Sequence, residues 1–311
     1  MKYYDQHLHT FLSFDSQEIF ENYLLNNPAY FVATDHFDLH NPGDNFHDDI
    51  PDYEKLTQKI HELEANSPTT FFKGVEIGVV PGQEKQINDY LAQNPYDLKL
   101  LSIHQNGKFD YIDDVVLKKD KYDVAKMYFD QMSKVLGTFD NAQILTHFEY
   151  GLRRLDFTPQ ELEEHFEKEL TQILKKVIQK EMALELNAKS FGYYQNANLY
   201  RYVIPLYKSL GGKFFTLGSD AHQSEDYQAL FPEMAGLLKE FGVNFWLPSK
   251  KRPLSYRIAL KLIKAGSRNF LLFYLSSIFS SSIFSGSTMS FSAASFCASL
   301  NTFSFSSLYS L

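Results

Sequence analysis

The chain has 311 residues, 44% of them hydrophobic, which is enough for one large domain with a buried core. Its net charge of −8 gives no general basic footprint for nucleic acid. A single cysteine, Cys297, excludes an intrachain disulfide and suits a reducing cytoplasm.

The N-terminus, MKYYDQHLHT, has no apolar secretory stretch and is read as carrying no targeting segment. Apolar or β-rich runs then alternate with helical patterns. The expected strands are Tyr3–His7, Tyr30–Thr34, Thr70–Ile77, Leu98–Ile103, Gln143–Thr146, Met182–Asn187 and Lys213–Gly218. Runs such as YFVAT, LKLLSI and AQILT are almost wholly apolar, as parallel strands buried on both faces require. The helical patterns between them cover Ser16–Asn26, Tyr53–Asn66, Glu84–Gln93, Asp123–Leu136, Pro159–Lys180, Asn198–Ser209 and Asp226–Phe241. The fifth has a complete start signal: Thr158 to cap, Pro159 at the first helical position and Glu161 to close a capping box. Seven strand–helix alternations predict a TIM-like β/α barrel, with a doubly wound open sheet as the alternative.

From about Ser267 the composition changes. About a third of the residues are Ser, Phe is abundant, and Arg268 is the only charged side chain. The run Phe270–Phe284 is short and interrupted for a membrane span. The segment 267–311 is therefore read as an extension foreign to the barrel of residues 1–266, and no membrane association is expected.

Six of the ten histidines close apolar runs, within HLHT (His7, His9), TDH (Asp35, His36), SIH (His104), THFEY (His147) and GSDAH (Asp220, His222). His7 and His9 are two apart, which on a strand turns both imidazoles to one face. Glu76 stands in the apolar run FFKGVEIG, where a carboxylate needs a partner. Asp15 follows in FLSFDSQE and reads equally well as a helix cap. Each residue alone has an ordinary structural explanation, but the delivery of ligand-type side chains to six strand ends does not. A barrel brings those ends to one mouth. Nine candidates, His7, His9, Asp15, His36, Glu76, His104, His147, Asp220 and His222, suit two or three metal ions. Nitrogen and oxygen ligands without cysteine fit Zn²⁺, Mn²⁺ or Fe²⁺.

These motifs, in this order, resemble the polymerase and histidinol phosphatase (PHP) superfamily, and most of all its monofunctional histidinol-phosphate phosphatases. The resemblance spans roughly residues 1–266. It implies a distorted (β/α)₇ barrel with three divalent metal ions. His7, His9, Glu76 and Asp220 would hold one ion, Glu76, His104 and His147 a second, and Asp15, His36 and His222 a third. It further implies hydrolysis of a small-molecule phosphate ester, L-histidinol phosphate, in the cytoplasm, by a metal-bridging hydroxide. Asp35 or His222 would protonate the leaving alkoxide, and Arg153 or Arg154 would bind a phosphate oxygen. The acidic stretch Asp38–Tyr53 is expected either as a lid that meets the substrate's amino group or as a solvated loop. The competing functions are another PHP phosphoesterase, a nuclease included, and a non-catalytic metal-binding module. The sequence carries no signal for oligomeric state.

Overall fold

A computed structural model describes residues 3–243. The expected extension at 267–311 lies outside the described residues. The elements in chain order are α1 (Phe20–Leu24), β1 (Tyr30–Ala33), β2 (His36–Asn41), β3 (His47–Asp49), α2 (Tyr53–Glu64), β4 (Thr70–Gly78), α3 (Glu84–Gln93), β5 (Leu98–Ser102), α4 (Lys121–Thr138), β6 (Ile144–Leu145), α5 (Pro159–Gln179), β7 (Ala183–Asn187), α6 (Ala197–Ser209), β8 (Phe215–Gly218) and α7 (Phe231–Glu240).

Strands β4, β5, β6, β7 and β8 pair in that order, all parallel. β1 and β2 are successive halves of one strand. Both run parallel to β4, β1 against Thr70–Lys73 and β2 against Glu76–Gly78, with a break at Thr34–Asp35. The N-terminal segment crosses the remaining gap. Gln6 N donates to Leu217 O, Asp220 N to His7 O and His9 N to Ala221 O on the β8 side, and Thr34 N donates to Leu8 O at the β1–β2 break. This makes seven staves in a barrel-like ring, with regular pairing reduced at the first stave to a single bridge, Leu8–Ala221. The expected first strand, Tyr3–His7, is thus displaced toward residues 6–9.

Buried on both faces, the central strands read as near-continuous apolar runs, and the helices pack outside them with one apolar stripe each. α5 buries Leu162, Phe166, Leu170, Ile173, Leu174 and Val177 and starts on the expected capping box. Three local expectations need correction. α1 begins only at Phe20, because the Ser16 hydroxyl donates to His222 O and the Glu18 carboxylate accepts from Ser224 N. α7 begins at Phe231 rather than Asp226, because Gln228 and Leu230 have left-handed backbones (φ 56 and 57). The acidic stretch after Asp38 is neither a lid nor an open loop at its start. Its first residues complete β2, which turns through Pro42–Asp44 into the antiparallel β3.

Candidate metal centre

Each candidate ligand is delivered by a stave or by the turn after it. His7 and His9 sit on the N-terminal segment and Asp15 in the loop that follows. His36 opens β2, and Glu76 lies in β4. His104, His147, Asp220 and His222 lie just beyond β5, β6 and β8. Glu76 is at the centre. Its Oε1 lies 2.9 Å from His147 Nε2 and 3.1 Å from His104 Nε2, and accepts from Ser102 Oγ at 2.6 Å. Its Oε2 faces His7 Nε2, His9 Nε2 and His36 Nδ1 at 3.2, 3.4 and 3.4 Å, yet takes part in no hydrogen bond although fully buried. A buried carboxylate oxygen without a proton donor, ringed by imidazole nitrogens, is a donor arrangement that a bound cation would satisfy. Four groups of side chains have ligand atoms close enough to share an ion: His9, Asp15, His36 and His222; His7, His9 and Glu76; His7, His147 and Asp220; and His36, Glu76 and His104. The residues fit divalent metal.

The imidazoles divide by protonation: burial opposes a proton on each, but nearby carboxylates overcome it at His7, His36 and His104, the last raised to about 10, and a bound cation would displace those protons. Burial, with His222 and His36 close by, pushes His9 well below its ordinary value, and burial takes His147 down to about 4. Both imidazoles are neutral and have a lone pair to give. Burial opposes the charge of Glu76, but His7, His104 and His36 hold its carboxyl well below the usual range.

A second ring of groups orients the imidazoles. Glu185 Oε1 lies 2.8 Å from His7 Nδ1, and Glu185 Oε2 accepts from the His147 backbone N–H. Asp38 spans two histidines, with Oδ1 at 3.0 Å from His104 Nδ1 and Oδ2 at 3.1 Å from His36 Nδ1. Ser13 Oγ, which donates to Asp35, lies 3.0 Å from His9 Nδ1. Such partners fix ring orientation in metal sites. Glycine makes room for them: a Cβ on Gly78 would stand 1.8 Å from Asp38 Oδ1, and one on Gly218 would stand 2.2 Å from Glu185 Oε1.

A cavity of about 550 Å³ opens over the cluster. Arg153 lines it, with Nη2 donating to Asp220 Oδ2 and Asn187 Oδ1, Nε to Ser190 Oγ, and the guanidinium over the rings of Tyr150 and Tyr194. Arg154 turns away, bound to Ile112 O and Asp114, and does not line this cavity. Asp35 is also absent from the lining. Its oxygens accept from Thr10 N, Thr10 Oγ1 and Ser13 Oγ, which leaves it in the wall behind His9. His222 does reach the cavity, with Nε2 2.9 Å from Asp15 Oδ2. Among the described residues, none of Asp38–Tyr53 lines it.

Beyond the nine candidates, the fold brings Asp38, Glu185 and Lys189 to the site. Lys189 follows β7, lines the cavity and brings Nζ to 3.5 Å from Asp220 Oδ1 and 3.1 Å from His222 Nδ1. Glu185, a fully buried carboxylate in the run ALELN, obeys the rule that singled out Glu76.

A ring of parallel strands with clustered His, Asp and Glu at one end defines a metallohydrolase-type α/β protein. The PHP domain model matches residues 5–189, and the chain belongs to that family. It is 29% identical over 253 residues to the histidinol-phosphatase of Lactococcus lactis subsp. lactis, covering 78% of this chain and 93% of that one. It is 26% identical over 230 residues to a probable histidinol-phosphatase of Clostridium acetobutylicum, covering 71% of this chain and 87% of the relative. A probable histidinol-phosphatase of Thermotoga maritima is 25% identical over 260 residues, 82% of this chain and 99% of the relative. The crystal structure of histidinol phosphate phosphatase from L. lactis, complexed with zinc, L-histidinol and phosphate, superposes with a TM-score of 0.70 at 24% identity. That match covers 80% of this chain and 97% of the other, and it establishes the shared fold. No helix among the described residues is long and apolar enough to cross a membrane.

Proposed function

We propose that this protein hydrolyses L-histidinol phosphate to L-histidinol and phosphate, using three divalent ions, in the cytoplasm. The observation that carries the reading is the Glu76 carboxylate, shared between two sets of imidazoles with one oxygen lacking any proton donor. The names of the matched relatives support the choice of substrate. His7, His9, Glu76 and Asp220 are assigned to one ion, Glu76, His104 and His147 to a second, and Asp15, His36 and His222 to a third. Bound divalent ions, Zn²⁺, Mn²⁺ or Fe²⁺, would activate water and neutralise phosphoryl charge.

The chain's own residues do the rest. Arg153 and Lys189, both at the cavity, bind phosphoryl oxygens, and the stacking of Arg153 on Tyr150 and Tyr194 holds its fork in place. Glu185 and Asp38 keep the Nε2 atoms of His7 and His104 turned toward Glu76. Asp35 is a positioning residue for His9, through Ser13, and lies outside the cavity lining, where it does not meet a leaving alkoxide. Phosphate release from L-histidinol phosphate, measured beside a phosphodiester and other phosphomonoesters with Mn²⁺, Fe²⁺ or Zn²⁺ supplied, tests the reading. A higher kcat/KM on histidinol phosphate is expected. Folded, metal-loaded protein that releases no phosphate from it would sink the reading.

A further inference from the structure

Four carboxylates line the cavity: Asp15, Glu76, Asp220 and Asp226. Three are engaged. Asp15 faces His222 and His36, Glu76 sits among the imidazoles, and Asp220 takes Arg153 and Lys189. The Asp226 side chain alone has no hydrogen bond or ion pair among the described residues. It lies at the exposed rim with Gln223, Ala229 and Leu230.

The loop that carries Asp226 is held firmly. Asp5, buried beneath it, accepts from His7 N and Ser219 N through one oxygen and from Gln228 N through the other. Ser224 N is bound by Glu18, and Gln228 Nε2 by Tyr3 O. Gln228 and Leu230 keep left-handed backbones that leucine rarely adopts. A Cβ on Gly192 would meet Leu230 Cδ1 at 2.3 Å, so Leu230 is seated against the turn carrying Tyr193 and Tyr194. A free carboxylate on an anchored loop costs little entropy to use. The cavity is therefore polarised, with the cations Arg153 and Lys189 beside the metal cluster and an unpaired anion at the rim.

We propose that Asp226 is a specificity-determining residue that binds the cationic end of the substrate while the phosphate lies at the metal cluster. The inference rests on the phosphomonoesterase reading above and narrows it to esters that carry an ammonium or imidazolium group. Asp226 takes over the role that the sequence suggested for the stretch Asp38–Tyr53, which does not line the cavity.

The test compares L-histidinol phosphate with p-nitrophenyl phosphate, which has no cation, on the metal-loaded full chain. D226N should lower the cationic-to-neutral ratio of kcat/KM by roughly 3- to 10-fold, through KM for the cationic ester. D226K should lower it further, and D226E should recover part of the loss. Added salt should shrink the wild-type preference. A ratio left unchanged in D226N and D226K, or a loss carried equally by both esters, would overturn the inference. Failure of the underlying reading shows separately, as wild-type protein that does not release phosphate from histidinol phosphate. If the wild type also fails to prefer phosphoethanolamine over a neutral ester, the role of Asp226 falls with it.

Discussion

The two walls of the cavity are built on opposite principles. The inner wall is buried, and almost every polar atom in it has a partner: Glu185 behind His7, Asp38 behind His36 and His104, Ser13 and Asp35 behind His9. The outer wall is made of Tyr193, which is 79% exposed, with Leu230 and the unpaired Asp226. The inner wall holds the candidate ligands in one geometry, which a metal-dependent phosphoester reaction on this scaffold would need. The outer wall meets the part of the substrate that does not react, so it can change without disturbing the chemistry. Substitutions on the inner wall should therefore cost metal and turnover together, while those on the outer wall should change only the choice of ester.

The largest effect is expected at the centre. Glu76→Gln or Asp220→Asn should reduce turnover on the order of a thousandfold and lower bound metal per chain in elemental analysis. Full activity in either variant would remove that residue from the centre. Between the extremes, Arg153→Ala should reduce kcat/KM roughly a hundredfold with metal content unchanged, and Arg154→Ala should stay near wild type. Equal losses in both would break the distinction between the arginine in the cavity and the one turned outward. One shell back, Glu185→Gln or Asp38→Asn should weaken metal affinity by about 10- to 100-fold, read by chelator competition, with activity restored at high metal. No change in affinity would show that the imidazoles orient themselves.

The contrast between the walls also explains what could be read in the sequence. The candidate ligands are legible because histidine is scarce and each one closes an apolar run, as in LLSIH or QILTH. The barrel followed from apolar runs that alternate with amphipathic ones. Asp38 was hidden because it sits among other acidic residues, and only the fold of β2 against β4 turns it inward. Lys189 follows a strand end but belongs to a residue type that usually faces solvent. Asp226 lies in a helical pattern that fails in three dimensions, since the left-handed backbones at Gln228 and Leu230 turn its first residues into a loop. The break of one strand into β1 and β2 has no sequence mark beyond Thr34, whose Oγ1 accepts from Leu8 N and so replaces a ladder bond.

The smallest effect is expected far from both walls. Thr158→Ala removes the cap of α5 and should cost ~1 kcal/mol, read as a fall of a few degrees in Tm, with kinetics unchanged. Hydrogen bonding from Lys121 is the main cause that holds Glu161, the other half of the box, at about 2 instead of 4.5. Its depressed value makes its contribution full above pH 4.5, declining as pH falls toward 2. Changed kinetics in Thr158→Ala would mean that the outer helices tune the site.

The proposed multinuclear metal centre around Glu76 would hydrolyse histidinol phosphate. It is tested most directly by stripping the purified protein with a chelator and restoring one divalent metal in steps, while bound ions per chain and phosphate release from L-histidinol phosphate are followed together. Folded, inactive apoprotein is expected, with activity returning as about three ions bind. Turnover that persists in the metal-free protein, or three ions bound with no phosphate released, would contradict it.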